Sequence, residues 1–438
     1  MILISYVFTF LVFAVSVYMA FAFNNKKQLG YISLASWFFL AIGMAHGLGA
    51  FYIFSYLDSG GSFNNSYIVY NNSNYWWIHS FLTLCLIFSF VFGWKLKIGR
   101  ASSYVRLANR TYNLSVKQIF YFAIFIMILS FALRYLYVSA FGGFAKYLEY
   151  NRQIRSGLFE INNKFSFLQP FGALSYFASY MFFSLILRRY RVFSVSILFF
   201  ISLIFSLYLS YSYAGRVGFL IFLGVFVITF LYGKKINLNF LLMMVLVSVP
   251  LSLFFIFSLS NVFNIKGGDS LSYFIIKEIG HLFSGFYIQL NEGYLYRGFL
   301  DFLMAPMHLL PSSWTSGIYE TASQANTRLL QGAIKGEDGV TGGIPVDILT
   351  LGIMQFNVFG VVFVGMLFGW FLKRLDYFLS LIKVIELRNV FLVYASLRIS
   401  FMGALYAQPP HLMNGLFVLI FMFFVLYFFN VLSRVAYR

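Results

Sequence analysis

Apolar runs of about 20 residues, the length that crosses a bilayer as a helix, recur through this chain from its first residues to its last. The polar stretches between them alternate between two kinds. One kind is basic: Lys26 and Lys27; Lys95, Lys97, Arg100, Arg106, Arg110 and Lys117; Arg188, Arg189 and Arg191; Lys234 and Lys235; Lys373, Arg374, Lys383 and Arg388; Arg434 and Arg438. Only Asp376 and Glu386 accompany these cations. The other kind is uncharged or mixed in sign. Lysine and arginine accumulate in cytoplasmic loops. The alternation therefore predicts a polytopic bundle with its N-terminus outside and its C-terminus inside. We read about eleven spans, at roughly 2–23, 31–57, 77–96, 118–140, 169–187, 192–211, 216–233, 239–262, 347–372, 389–407 and 412–433.

The hydrophobic fraction of 61% and mean hydropathy of +0.82 agree with that class. The net charge of +18 is then topological. Its excess lies on the cytoplasmic face, where it meets anionic headgroups, so no nucleic-acid partner is expected. The first span is not read as a cleavable signal, because it lacks a basic leader and runs into Asn24-Asn25-Lys26-Lys27. Cys85 is the single cysteine, which excludes a disulfide framework or thiolate metal site. His46, His79, His281, His308 and His411 are scattered, with no pair at metal-ligand spacing. There is no Walker A sequence, no loop DxD and no G-x-S-x-G. The expected chemistry uses no metal, no cofactor and no covalent nucleophile.

The outer segments carry the remaining charges. The longest is the loop 263–346, between spans 8 and 9. Within it, 272–290 places Tyr273, Ile276, Ile279, Phe283 and Phe286 at helical spacing, with Lys277, Glu278 and His281 between them. That pattern predicts an amphipathic helix on the bilayer surface. Arg134, Arg152, Arg155, Arg216, Arg297, Arg328 and Arg398 gather on the outer side. Guanidinium groups grip phosphate and carboxylate oxygens in pairs. Arg134 sits near the outer end of its span and is expected to snorkel. Arg398 lies near the middle of the run 389–407, where an unpaired charge costs at least about 2.5 kcal/mol. It is expected to face a polar cavity or to pair with Asp347 or Asp301. In Ser212-Tyr213-Ala214-Gly215-Arg216-Val217-Gly218 two spans meet almost without a loop, and Arg216 opens a helix whose first N–H groups add to its attraction for an anion. His281 is the candidate base, with Glu278 and Glu292 behind it.

Three places resemble the O-antigen polymerase (Wzy) family of oligosaccharide repeat-unit polymerases. Ser212 to Gly218 is similar to the family's short Ser/Gly-Arg-Gly hairpin. Arg297 through Ala305-Pro306 to Leu310-Pro311-Ser312-Ser313-Trp314 is similar to its large-loop segment. Thr341-Gly342-Gly343-Ile344-Pro345, leading to Gln355-Phe356-Asn357-Val358-Phe359-Gly360, is similar to its return to the membrane. Here Asn-Phe-Gly is interrupted by Val358, and Val346-Asp347 replaces a plainer sequence.

The resemblance implies a GT-C-like, all-helical inner-membrane enzyme working at the periplasmic face. A growing glycan would move from undecaprenyl pyrophosphate to the non-reducing sugar of the next lipid-linked unit, with inversion at the anomeric carbon. The product would enter lipopolysaccharide or a related surface polysaccharide. Arg216, Arg152, Arg297 and His281 would carry the chemistry, and Arg155, Arg328 and Arg398 would bind substrate. Partners would be undecaprenyl-pyrophosphate-linked oligosaccharides, membrane lipids and, as a further candidate, a chain-length regulator.

Three other readings stay open. An O-antigen ligase uses the same donor but transfers to lipid A-core. A flippase would show internal repeats and a charged central path. A membrane O-acyltransferase would need an intramembrane histidine; His46 is the candidate, and it has no acidic neighbour in the sequence.

Overall fold

Backbone polar groups in hydrocarbon must be satisfied within their own segment, so the apolar runs form helices. The computed structural model of the chain describes residues 2–24, 32–61, 73–97, 115–157, 163–212, 216–233, 271–310, 318–382 and 384–436. Helices α1 (Ile2–Ala22), α2 (Leu34–Asp58), α3 (Asn74–Lys95) and α4 (Val116–Ser139) come first. The short α5 (Phe144–Ser156) leads to α6 (Ser166–Leu187), α7 (Val192–Ser212) and α8 (Arg216–Gly233). The large segment holds α9 (Leu271–Glu292), α10 (Leu300–Met304) and α11 (Ala322–Gln331). Then come α12 (Ile348–Ser380), α13 (Ile385–Tyr394) and α14 (Pro409–Ala436), with α13 prolonged by a wide π-helical turn, Ala395–Phe401, and a last turn, Met402–Leu405. No strand occurs among the described residues.

Eight of these helices are long and apolar enough to cross a membrane: α1 to α4, α6, α7, α12 and α14. The chain is therefore a multi-pass membrane protein by its helices. Of the other expected spans, 239–262 lies outside the described residues. The 216–233 span is α8, with a shorter apolar stretch at Ile221–Phe230. The 389–407 span is α13 with its π-helical extension. A second π-helical turn, Gly43–Gly49, widens α2. Such turns gather at functional sites, and these two contain His46 and Arg398.

The expected straight span 347–372 is instead a hairpin. Helix α12 breaks at Phe356 (φ −148°, ψ 44°) and Asn357 (φ 53°, ψ −137°). Asparagine tolerates positive φ better than most residues. Past the break, Gly360 abuts the carbonyl of Gly352, and Gly352 lies against Val361. In an unbroken helix, residues eight apart would be separated by about 12 Å along the axis. The limb 348–355 is buried at every residue.

The long limb of α12 packs on α3 through glycines. Side chains at Gly365 and Gly369 would strike the carbonyls of Leu86 and Phe90, and one at Gly93 that of Met366. Small residues let membrane helices approach this closely. Gly369→Leu is expected to separate the pair and destabilise the bundle by about 1–3 kcal/mol. Gly218→Ala places its methyl in open space and should leave the melting temperature in detergent unchanged. Equal melting of the two variants would refute the glycine seam.

At the basic end of the bundle the two acids have structural partners. Asp376 Oδ1 accepts from Leu34 N at 2.9 Å, closing the start of α2, and Glu386 pairs with Arg188. At the opposite end the large segment is not a surface appendage. The predicted helix is present as α9, but Phe283, Phe286, Tyr287 and Gln289 in its second half are fully buried. Its apolar face meets the rings of α2 and α3 instead of lipid, and Gly285 presses on the carbonyl of Pro345.

Candidate functional site

Two buried polar clusters lie where the large segment meets the bundle. In the first, the Nδ1 atom of His46 on α2 is 3.0 Å from Nε2 of His79 on α3. Nε2 of His46 is 3.2 Å from Oδ2 of Asp347. All three side chains are fully buried. Asp347 caps α12: its Oδ1 accepts from Thr350 N at 2.9 Å and from the Thr350 hydroxyl. Phe283, Phe286 and Tyr287 of α9 cover His79, with ring centroids 5.3, 5.1 and 5.7 Å away. The carbonyl of Val346 accepts from Ala407 N at 2.8 Å, so the end of α13 is tied to the head of α12. His46 thus has the acidic neighbour that its surroundings in the sequence lack.

The second cluster closes over the break in α12. Interrupting a helix orphans the carbonyls of its last turn. Those of Met354 and Gln355 are taken by Arg297 N at 2.8 Å and Gly298 N at 3.2 Å. Asp301, 1% exposed, accepts from Arg297 Nε at 2.7 Å, from Gln355 Nε2 at 2.9 Å and from the Tyr319 hydroxyl. The Arg297 guanidinium also donates to the Glu320 carbonyl and lies under the Tyr319 ring, 5.4 Å from its centre. Burial disfavours the Arg297 charge, but the bond to Asp301 and its negative charge outweigh this and raise its pKa above the ordinary arginine value. Burial, then Asp301, push the Tyr319 phenol well above its usual value, which keeps it a donor.

Arg297, expected to act on substrate, stands in the clamp that closes over the break in α12. Arg328 lies on α11 with its side chain half exposed, 3.3 Å from Glu320 Oε1. His281 is part-exposed on α9, outside the His46–His79–Asp347 cluster. Arg152 and Arg155 lie on α5 and Arg216 opens α8; for these three only the backbone is described. Arg398 is part-buried against Gly415 of α14. It pairs with neither expected acid, because Asp301 holds Arg297 and Asp347 holds His46. Arg134 corrects the snorkelling expectation. It is fully buried between the rings of Tyr137 and Tyr147, at 4.8 and 4.6 Å, and donates to Ser212 Oγ at 3.0 Å. The rings and the hydroxyl hold the charge inside the protein.

His79, Asp347, Tyr319 and Gln355 were missed as site residues. A usable signal existed for the first two. His46, His79 and Asp347 are ionisable residues in or at the edge of three separate apolar runs, and such residues face one another inside a bundle.

Tyr296, Phe299, Phe356, Asn357, Phe359 and Phe363 line a groove of ≈ 640 Å³ on the flank of the break, beside the Arg297 clamp. Phe359, in its wall, is 84% exposed. No family model, curated protein or solved structure matches this chain.

Proposed function

We propose that this protein polymerises lipid-linked oligosaccharide repeat units at the outer face of a bacterial inner membrane. It moves a growing glycan from undecaprenyl pyrophosphate to the next lipid-linked unit, as the resemblance to the Wzy family implies. The observation that carries the reading is the ring-lined groove at the α12 break. Its apolar, exposed wall suits an isoprenyl chain that stays in the bilayer while its headgroup reaches the large segment. Arg216, Arg152, Arg155, Arg328 and Arg398 supply guanidinium groups for pyrophosphate, and Arg297 shapes the segment that presents the sugar.

A broken helix beside buried ionisable residues is also a transporter feature, and it favours a lipid-linked oligosaccharide flippase as the second reading. Purified protein in vesicles, given a fluorescent lipid-linked repeat unit, separates the readings. Polymerase activity yields a ladder of glycan lengths on one lipid. Movement of the unit between leaflets without growth establishes the flippase and refutes the polymerase, as does transfer to added lipid A-core, the result for a ligase.

A further inference from the structure

Asp347, His46 and His79 stand in a row of close contacts, and the charge at one end orders the protons along it. Oδ2 of Asp347 lies 3.2 Å from Nε2 of His46, a close contact without a hydrogen bond, and the charge of an ionised carboxylate there favours the proton on that nitrogen. A neutral imidazole carries one N–H. His46 Nδ1 is therefore an acceptor, and takes a hydrogen bond from Nε2–H of His79 across 3.0 Å. Nδ1 of His79 is left as a lone pair. Among the described residues it has no hydrogen-bond partner, and the His79 side chain is fully buried.

A proton arriving at that nitrogen has somewhere to go. His79 passes its Nε2 proton to Nδ1 of His46, His46 passes its own Nε2 proton to Asp347, and the carboxylate becomes a carboxylic acid. The His46–His79 hydrogen bond survives with its direction reversed. The chain goes from one negative charge to none, and no imidazolium remains among the rings of Phe283 and Phe286, where burial disfavours a charged group.

We propose that this chain is the proton acceptor of the transfer reaction, with Nδ1 of His79 as its receiving end and His46 and Asp347 as positioning residues. The inference rests on the polymerase reading. The acceptor sugar's hydroxyl gives its proton to His79 as its oxygen bonds to the anomeric carbon of the donor glycan. The bond from that carbon to the pyrophosphate oxygen breaks, and undecaprenyl pyrophosphate departs with the electron pair. The relayed proton rests on Asp347 and returns by the same path to water. His79 lies in the second turn of α3, at the large-segment end. Helix α9 covers it, and admission of the acceptor requires that α9 draw back. The titratable groups facing His79 are His46 from α2 and Tyr287 from α9, with Asp347 from the head of α12 behind His46. Helix α1 meets this part of α3 through the Thr9 hydroxyl on Ser80.

The test is chain growth by the protein in vesicles, followed from about pH 5 to 9, since a required base gives an acid limb in the pH–rate profile. The wild-type rate is expected to fall on the acid side. His79→Gln should keep the melting temperature, lower the rate by about 10²–10⁴-fold and lose that limb. Asp347→Asn should behave alike, because its oxygen still caps Thr350 while the amide cannot take up the proton. A flat wild-type profile on the acid side overturns the relay without any variant. So does a folded His79→Gln protein that works at the wild-type rate, or variants that lose stability and rate together with the limb unchanged. If His79→Gln does not fold, the wild-type profile and Asp347→Asn decide. Absence of growth by the wild type overturns the polymerase reading and the relay with it, whereas growth without the acid limb overturns the relay alone.

Discussion

Asp301→Asn will loosen the large segment from the break in α12 and stop chain growth. Asp301 is buried and receives hydrogen bonds from Arg297, Gln355 and Tyr319. The amide keeps one acceptor oxygen, turns an NH₂ toward those donors and removes the counter-charge from a guanidinium only 10% exposed. Breaking a buried pair on one side costs about 3–5 kcal/mol. The loss falls where Arg297 N and Gly298 N take up the carbonyls of Met354 and Gln355, so local unfolding begins there. Hydrogen exchange at 296–304 and 318–328 should speed up well before exchange in α3 or α6. Because Arg297 and Asp301 touch, their substitutions should couple. Arg297→Gln together with Asp301→Asn leaves no charge unpaired, and should recover part of the stability lost by Asp301→Asn alone. If the single variant exchanges like the wild type, the clamp does not hold the segment.

The bundle was largely legible in the sequence because membrane helices announce themselves through length and charge side. The runs at 2–23, 77–96 and 118–140 appear as α1, α3 and α4. What could not be read was any interruption inside an apolar run. Hydropathy is blind to the turn at Phe356 and Asn357, since apolar residues flank it on both sides, and equally blind to the wide turns that hold His46 and Arg398. The amphipathic face of α9 was legible, but not its destination, because an apolar stripe suits either lipid or a neighbouring helix. Arg134 was misjudged for the same reason: its ring partners Tyr137 and Tyr147 lie on α4 and α5, and Ser212 is 78 positions away. The buried chain from Asp347 to His79 likewise joins residues far apart in sequence, which only the fold brings within hydrogen-bonding distance.

Arg216→Ala will abolish long glycans while leaving single repeat units capped on lipid A-core. Arg216 is the first residue of α8, only a few residues past Ser212, where α7 ends. The free N–H groups of a helix start favour an anion, and a guanidinium there adds a paired grip on pyrophosphate oxygens. A methyl added at Gly218 would meet nothing within 4 Å, so this glycine is not filling a close helix contact. In the proposed reaction the charge to be stabilised grows on the departing pyrophosphate, and removing one such electrostatic contact typically costs about 10²–10³ in rate. Arg216→Lys keeps the charge but not the fork, and should fall between wild type and alanine. The decisive readouts are a gel of lipopolysaccharide from cells carrying each variant and the melting temperature of the purified proteins. A normal ladder from Arg216→Ala removes this residue from the reaction. A lost ladder with a lowered melting temperature assigns it to the fold instead, and only a lost ladder with an unchanged melting temperature supports pyrophosphate binding at the start of α8.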